Sequence, residues 1–206
     1  MAARQDLTIV QGKTFTRVLR WESLPFIYKA ISSITQAAPA VVNTSASHGV
    51  PDGWRVAIVS VQGMEEINAS TPPKEREFVK ATVLTGTSLE LNSVNSSEYT
   101  AYTTGGYVQY YTPVALSGYT ARMQVKDKVG GTVLASTDVD DAPKDVITVT
   151  VDDVTKTITI AIAATDTAAF AWKKGVYDLE MVSGSGEVTA LLTGNISVTA
   201  EVTTAT

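Results

Sequence analysis

The sequence predicts an all-β protein, and three observations support this fold class. Apolar and polar residues alternate with a period of two along much of the chain. Val and Thr fill many of these runs, and their branched side chains suit a pleated, half-buried strand. Gly, Pro and Asp interrupt the runs at short intervals, as turns would. The only helix-like stretch, the alanine-rich residues 165–172, is too short for more than a turn or two.

Two hairpins are predicted in the C-terminal half. The first joins residues 147–151 to residues 158–162 around Asp152-Asp153, with one apolar face and one Thr-rich face. The second joins residues 177–181 to residues 187–192 through Gly184-Ser185-Gly186. Gly194 is expected to interrupt the chain before a last strand at residues 196–202. Near the N-terminus, residues 7–9 and 15–21 form two further strand-like runs.

The middle of the chain, residues 29–111, is predicted to be a separate small barrel-like module. Short strand-like runs alternate there with dense turn signals, a pattern typical of small barrels and sandwiches. The candidate strands are residues 31–35, 40–44, 54–61, 77–84, 88–91 and 106–110.

The flanking segments predict that this module is inserted into another domain. Strand 15–21 stops before the module and strand 120–126 follows it, so the two would form a hairpin whose loop carries the insertion. Loop tips accept insertions because the chain ends lie close together there. The outer domain is therefore predicted to comprise residues 1–28 plus 112–206.

Composition excludes several classes of function. Hydrophobic residues make up 44% and charged residues 18% of 206, which is typical of a globular chain. A net charge of −5 with scattered Lys and Arg disfavours nucleic acid. The absence of cysteine removes disulfides and thiolate chemistry. Apolar runs fall far short of the roughly 20 residues of a membrane span, and no apolar signal core is present, so we expect cytoplasmic synthesis.

The sequence offers no convincing catalytic, cofactor or metal site. The single histidine, His48, lies in a turn with no nucleophile motif nearby, so capping of backbone groups is its expected role. One histidine and no cysteine cannot form a usual zinc site. The acidic residues Asp138, Asp140, Asp141 and Asp145 lack the spacing of a calcium-binding loop, which favours a solvated loop. We therefore expect a protein that is not an enzyme and has no cofactor.

A group of tyrosines is the candidate interface. They crowd one end of the inner module and are Tyr99, Tyr102, Tyr107, Tyr110 and Tyr111. Tyrosine rings can anchor protein interfaces or stack on sugars, and the competing interpretation is that about half of them fill the barrel core. Trp21 and Trp172 are expected in the core of the outer domain.

Three segments of the outer domain carry motifs of a known family. They are Asp6-Leu7-Thr8-Ile9 with Gln11-Gly12, Phe15 and Arg20-Trp21; Leu116-Ser117-Gly118-Tyr119-Thr120-Ala121-Arg122-Met123-Gln124; and Gly175-Val176-Tyr177-Asp178-Leu179-Glu180. This layout resembles the immunoglobulin-like attachment domains of tailed-bacteriophage baseplate and fibre proteins. The resemblance implies an immunoglobulin-like β-sandwich that docks onto other virion components.

The inner module carries a second set of motifs. They are His48-Gly49, Asp52-Gly53-Trp54-Arg55-Val56, Val61, Gly63-Met64, Ile67-Asn68, Phe78, Leu89-Glu90-Leu91, and Tyr99-Thr100-Ala101-Tyr102-Thr103 with Gly105-Gly106. The pattern is similar to a β-module of phage tail proteins, named for its likeness to the first catalytic cysteine half-domain of ubiquitin-activating enzymes. It implies no ubiquitin chemistry, because that half-domain carries no nucleophile and this chain has no cysteine.

Together the two resemblances imply a structural component of a tailed-phage virion. It would dock on the tail, baseplate or neck and connect or space fibres, after assembly in the host cytoplasm. Its partners would be other virion proteins and further copies of itself, in a homo-oligomer or a multi-copy ring, with no nucleic acid and no membrane insertion. A capsid decoration protein and a host-receptor or glycan-binding module are the alternatives.

Overall fold

A computed structural model describes residues 2–202, and these residues form an all-β protein, as the sequence predicts. The strands of this part of the chain are β1 (Ala3–Arg4), β2 (Leu7–Val10), β3 (Phe15–Leu19), β4 (Glu22–Ile34), β5 (Ala40–Thr44), β6 (Arg55–Gln62), β7 (Val79–Thr85), β8 (Ser88–Leu91), β9 (Thr104–Pro113), β10 (Thr120–Lys126), β11 (Val133–Ser136), β12 (Ile147–Asp152), β13 (Thr157–Ile162), β14 (Lys174–Val182) and β15 (Val188–Thr199). The helices described with them are α1 (Ala164–Ala168) and the 3-10 helices Glu65–Ile67, Glu75–Glu77 and Val139–Asp141.

The chain divides into two compact units. The inserted unit is Glu22–Val114, and the outer unit consists of the segments before and after it. Residues 22–28 and 112–114, which the sequence assigned to the outer domain, therefore belong to the inserted unit. The reason is that the first part of β4 pairs with β9, from Glu22 opposite Pro113 to Ala30 opposite Tyr107.

The outer unit contains two sheets. One has six strands, in the order β1-β15-β14-β10-β11, with β2 also paired to β15. The other has three strands, in the order β12-β13-β3. Strands β10 and β12 lie in contact across the two sheets. Alternate residues of both sheets are buried, among them Met123 and Leu179 in the larger sheet and Ile158 and Ile160 in the smaller one. The unit is a two-sheet sandwich with an apolar core.

The two hairpins predicted from alternation are confirmed. Strand β12 pairs with β13 in the antiparallel register that places Val149 opposite Ile160, and β14 pairs with β15. The hairpin predicted between strands 15–21 and 120–126 is wrong. Strand β3 pairs with β13 in the small sheet, whereas β10 pairs with β11 and β14 in the large one. Without the insertion β3 and β10 are close along the chain, but the chain crosses from one sheet to the other between them.

The predicted interruption at Gly194 is also wrong, because β15 runs through this position without a break. Strands β1 and β2 both pair in parallel with β15 in one register, and Gln5 and Asp6 lie between the two strands. A Cβ atom at Gly194 would overlap the carbonyl oxygen of Gln5. The backbone N–H of Asn195 donates to Asp6 Oδ1 at 2.9 Å. Glycine is needed here for the close approach of the neighbouring strand.

The inserted unit is a closed six-stranded barrel. The strands follow one another around it in the order β4-β5-β8-β7-β6-β9, and β9 closes onto β4. The largest fully buried side chains of its core include Trp54, Met64, Leu89, Leu91 and Tyr110. Closure pairs both edges of every strand, which removes the exposed edges of an open sheet.

The tryptophans do not lie where the sequence predicts. Trp21 and Trp172 are half-buried rather than core residues, and each packs against one aromatic neighbour. The ring of Trp21 lies edge-on to Tyr119 at 5.5 Å, and that of Trp172 lies 4.9 Å from Phe170. Trp54 is the fully buried tryptophan.

Candidate interaction surface

The structure distributes the five candidate tyrosines over different environments. On β9, Tyr110 points into the barrel core and is 1% exposed, whereas Tyr107 and Tyr111 point outward. Tyr99 and Tyr102 are partly buried and pack against the core. The Tyr102 hydroxyl donates to backbone oxygens of the barrel, 3.0 Å from the nearer one. Only Tyr107 and Tyr111 therefore remain on an outer face, which follows from the alternation of a strand.

Aromatic residues of β4 and Phe78, which precedes β7, complete an outward-facing row with those of β9. Phe26 on β4 lies directly opposite Tyr111 on β9, and their ring centroids are 4.5 Å apart. Tyr28 on β4 packs edge-to-face against Tyr107 at 6.2 Å. Phe78 lies 5.3 Å from Tyr111. We call Phe26, Tyr28, Phe78, Tyr107 and Tyr111 the aromatic row.

The two ends of the aromatic row differ in exposure. Tyr28 is 53% exposed and Tyr107 is 45% exposed, while Phe26, Phe78 and Tyr111 are half-buried. Monomeric proteins usually carry exposed aromatic residues singly, and adjacent ones are a feature of interaction sites. The Tyr28–Tyr107 end is thus the part of the row that can reach another molecule.

An arginine holds the half-buried end of the row in place. The Arg55 guanidinium lies 5.4 Å from the Phe78 ring and 5.1 Å from the Tyr111 ring. Its Nε donates to the Glu22 carboxylate at 2.8 and 2.9 Å, and a second nitrogen reaches Glu75. Burial alone would lower the pKa of Arg55, but the two carboxylates outweigh it and raise this pKa above its ordinary value. The stacked, ion-paired guanidinium limits the motion of both rings.

Two further buried residues of β6 lie outside the barrel core. Ala57 and Val59 on β6 are buried although they are not part of the barrel core. The helix Glu65–Ile67 contacts β6, and the following Asn68 side chain bonds both backbone groups of Val61. The segment after β6 therefore bonds to the backbone of β6 beyond Val56, where β7 does not pair with it.

His48 caps backbone groups, which is the role expected from its turn. It is 2% exposed; its Nδ1 accepts from the Val50 N–H at 2.9 Å, and its Nε2 donates to the Thr85 carbonyl at 2.8 Å. The Tyr110 hydroxyl donates to the His48 carbonyl oxygen at 2.6 Å. These bonds use both ring nitrogens of a neutral imidazole.

The acidic run of the outer unit makes local contacts. The Asp138 carboxylate accepts from the Asp140 N–H at 3.0 Å and so caps the helix Val139–Asp141. The Asp141 carboxylate accepts from Gln124 Nε2 at 3.0 Å. Within residues 2–202, no group of three or more His, Asp or Glu side chains is arranged to hold a metal ion.

The outer face of the six-stranded sheet carries two adjoining shallow depressions of about 420 Å³ each. Gln124 and Asp178 lie between them and line both. Lys126 borders one depression, and the ion pair of Arg122 with Glu180 at 2.6 Å borders the other. Positive and negative side chains alternate in these depressions, so their charge favours no particular class of ligand.

Sequence reasoning found two members of the aromatic row and missed three. Phe26, Tyr28 and Phe78 were overlooked, and so was Arg55 as their partner. The sequence does contain a pattern that points to two of them. Phe26 and Tyr28 are two residues apart and so share one face of a strand. Pro25 obscured it, because proline usually ends a central strand. In the structure Pro25 lies at a register shift between Ser23 and Phe26.

Comparison with protein-family models gives no match for this chain. Comparison with curated protein sequences gives no significant match either. Among residues 2–202, the helices are all too short or too polar to cross a membrane.

Proposed function

We propose that this chain is a non-enzymatic structural component of a tailed-bacteriophage virion, docking on the tail, baseplate or neck and connecting or spacing fibres. The observation that carries the proposal is a closed barrel inserted into a β-sandwich, with an exposed aromatic pair on the barrel. The motif resemblances of both units to phage attachment and tail modules support the same role, as an analogy of fold.

The division of labour follows from the two units. The outer sandwich serves as the attachment domain that holds the protein on the particle. The barrel presents Tyr28 and Tyr107 to a neighbouring virion protein. Tyrosine suits this task because it buries a large area at a small cost in side-chain entropy and keeps a polar hydroxyl for bonding. Arg55 and its carboxylate partners prevent the adjoining rings from rearranging when the partner binds.

The proposal is tested on particles purified from a host that carries the coding sequence. We expect peptides of this protein in the virion, and electron microscopy of the particle should place them on the tail, baseplate or neck. Particles that lack the protein, with the protein left free in the lysate, would overturn the proposal. Density on the capsid surface would instead make it a capsid decoration protein.

The aromatic pair gives a sharper test of the contact itself. The double substitution Tyr28→Ala/Tyr107→Ala should lower incorporation into particles, with only a small effect on thermal stability. Leu84→Ala is the matched control, because Leu84 is a 48%-exposed apolar residue of the same barrel outside the row. Equal incorporation of the double variant and the wild type would exclude the pair as a docking contact.

Glycan binding is the second candidate function, and the exposed Tyr28–Tyr107 pair is the observation that favours it. Aromatic faces stack on sugar rings, and two exposed rings at an angle can contact two faces of one saccharide. Binding on a glycan array that disappears in Tyr28→Ala and Tyr107→Ala would establish this role. Array signals that both variants retain would exclude the pair as the sugar site.

A further inference from the structure

The free edges of the outer sandwich differ in how well they are protected. Natural sheets shield an exposed edge with bends, bulges, short strands or charged side chains, because unpaired N–H and C=O groups recruit other strands. Among the described residues, the outer unit has four edge positions: β1 with β2, β11, β3 and β12. The closed barrel of the inserted unit offers none.

Three of these edges carry a protective feature. The β1–β2 edge consists of short strands of two and four residues. Strand β11 has four residues, pairs through a register shift, and its Ser136 N–H is bonded to Lys144. Strand β3 places the exposed cation Arg17 at its centre.

Strand β12 lacks all of these features. It is six residues long and pairs with β13 without a register shift. It contains no proline, and its single charge, Asp152, is the last residue. Within the part of the chain that the structure describes, β13 is the only strand paired with it. Every second residue of β12 therefore directs its backbone N–H and C=O away from the sheet.

We propose that β12 pairs with β12 of a second copy of this chain, antiparallel about a twofold axis at Val149. In this register Ile147 of one copy lies opposite Val151 of the other, and Thr148 lies opposite Thr150. Directly opposed side chains share a face of the sheet, so apolar residues meet apolar ones and threonines meet threonines. Asp152 falls outside the matched segment, so no like charges are opposed within residues 147–151.

The opposite edge of the same sheet, β3, shows why the occupant is the same strand of another copy. An antiparallel self-pair of β3 about its centre would oppose Arg17 with Arg17, which is unfavourable. Strand β12 is complementary to itself, which is the requirement of a twofold interface. The small sheets of two copies would then join into one six-stranded sheet. This proposal concerns the purified chain and does not rest on the proposed function.

The test is the association of the full chain in solution, measured by sedimentation equilibrium over a wide range of protein concentration. Wild type should form a dimer reversibly. Thr148→Lys/Thr150→Lys places lysines opposite lysines twice in the register, so its dissociation constant should rise by about tenfold or more. Both threonines are exposed, so the fold should keep its thermal stability.

A charge-reversed partner variant tests the register. Thr148→Lys/Thr150→Glu places each lysine opposite a glutamate and should dimerise at least as well as wild type. The matched control is Thr16→Lys, an exposed threonine on the β3 edge, which should leave the dimer unchanged. Hydrogen exchange of the outward β12 amides should slow as the protein is concentrated.

Three results would overturn the proposal. The first is a wild type that stays monomeric at the highest concentration. The second is a lysine–lysine variant that dimerises as tightly as wild type. The third is a lysine–glutamate variant that dissociates as readily as the lysine–lysine variant, which would exclude this register.

Discussion

Tyr107 and Tyr110 make a direct test of the barrel, because two residues of one type on one strand should have opposite importance for stability. Tyr110 is 1% exposed within the core, and Tyr107 is 45% exposed. Truncating a buried aromatic side chain to alanine costs about 3–5 kcal/mol. Truncating an exposed one costs less than about 1 kcal/mol, even when a ring pair is lost. Tyr110→Ala should therefore remove a large fraction of the stability of the inserted unit, and Tyr107→Ala very little.

The hydroxyl of Tyr110 can be separated from its ring. Tyr110→Phe keeps the packing but leaves the His48 carbonyl without its 2.6 Å donor. The loss of one such bond costs about 1 kcal/mol. For a domain of this size that lowers the melting temperature by about 4–8 °C. Tyr107→Phe is the control and should leave it unchanged.

The assay uses the tryptophan buried in the barrel. In a Trp21→Phe/Trp172→Phe background, the fluorescence of Trp54 reports the inserted unit alone during thermal and denaturant unfolding. The expected order of stability is wild type and Tyr107→Phe first, then Tyr107→Ala, then Tyr110→Phe, then Tyr110→Ala. If Tyr107→Ala destabilised the unit as much as Tyr110→Ala, the assignment of inner and outer faces of β9 would be wrong.

Three further predictions concern stability. Burial raises the pKa of Tyr110 to about 12, so its contribution to the free energy of unfolding should be complete below pH 10. This contribution should fall between about pH 10 and 12, because the tyrosine ionises first in the unfolded chain. Measured as the denaturant midpoint, the decline should be flatter in Tyr110→Phe. Gly194→Ala should cost about 1–3 kcal/mol by pushing the edge strand away, whereas Gly184→Ala, where a Cβ meets only ordinary contacts, should be nearly neutral in calorimetry. Asn68→Leu leaves both backbone groups of Val61 without partners and should cost about 1–3 kcal/mol in chemical denaturation, while equal stability would mean that these bonds contribute nothing.

Local patterns explain which parts of the fold the sequence could predict. The β12–β13 hairpin needs only contiguous residues, since alternation and the Asp152-Asp153 turn together specify strands, turn and register. The partner of β3 is encoded instead by packing between residues far apart in the chain, Phe15 against Ile162 being one pair. Removing the insertion places β3 next to β10 in sequence, and that adjacency suggested a hairpin that tertiary packing overrides.

Part of the candidate surface could also be predicted from local patterns in the sequence. Alternation along β9 already separates Tyr110 from Tyr107 and Tyr111, because residues that differ by an odd number point to opposite faces. The contribution of Phe26 and Tyr28 depends on the long-range pairing of β4 with β9, which no local pattern states. The placement of Arg55 between two rings depends on the same closure of the barrel.

The parallel pairing of β2 with β15 also determines how the outer sandwich responds to tension. These strands lie toward opposite ends of the chain and run in the same direction, from Leu7 opposite Ile196 to Val10 opposite Thr199. A pull on the two ends of the chain acts along both strands in opposite senses, so their hydrogen bonds are sheared together. The barrel is loaded differently, because its first pair, Glu22 with Pro113, joins antiparallel strands that would peel apart one bond at a time. The insertion lies between β2 and β15 in the chain, so it comes under tension only after their bonds break. The sandwich should therefore open first at high force, and the barrel should then open at a lower force.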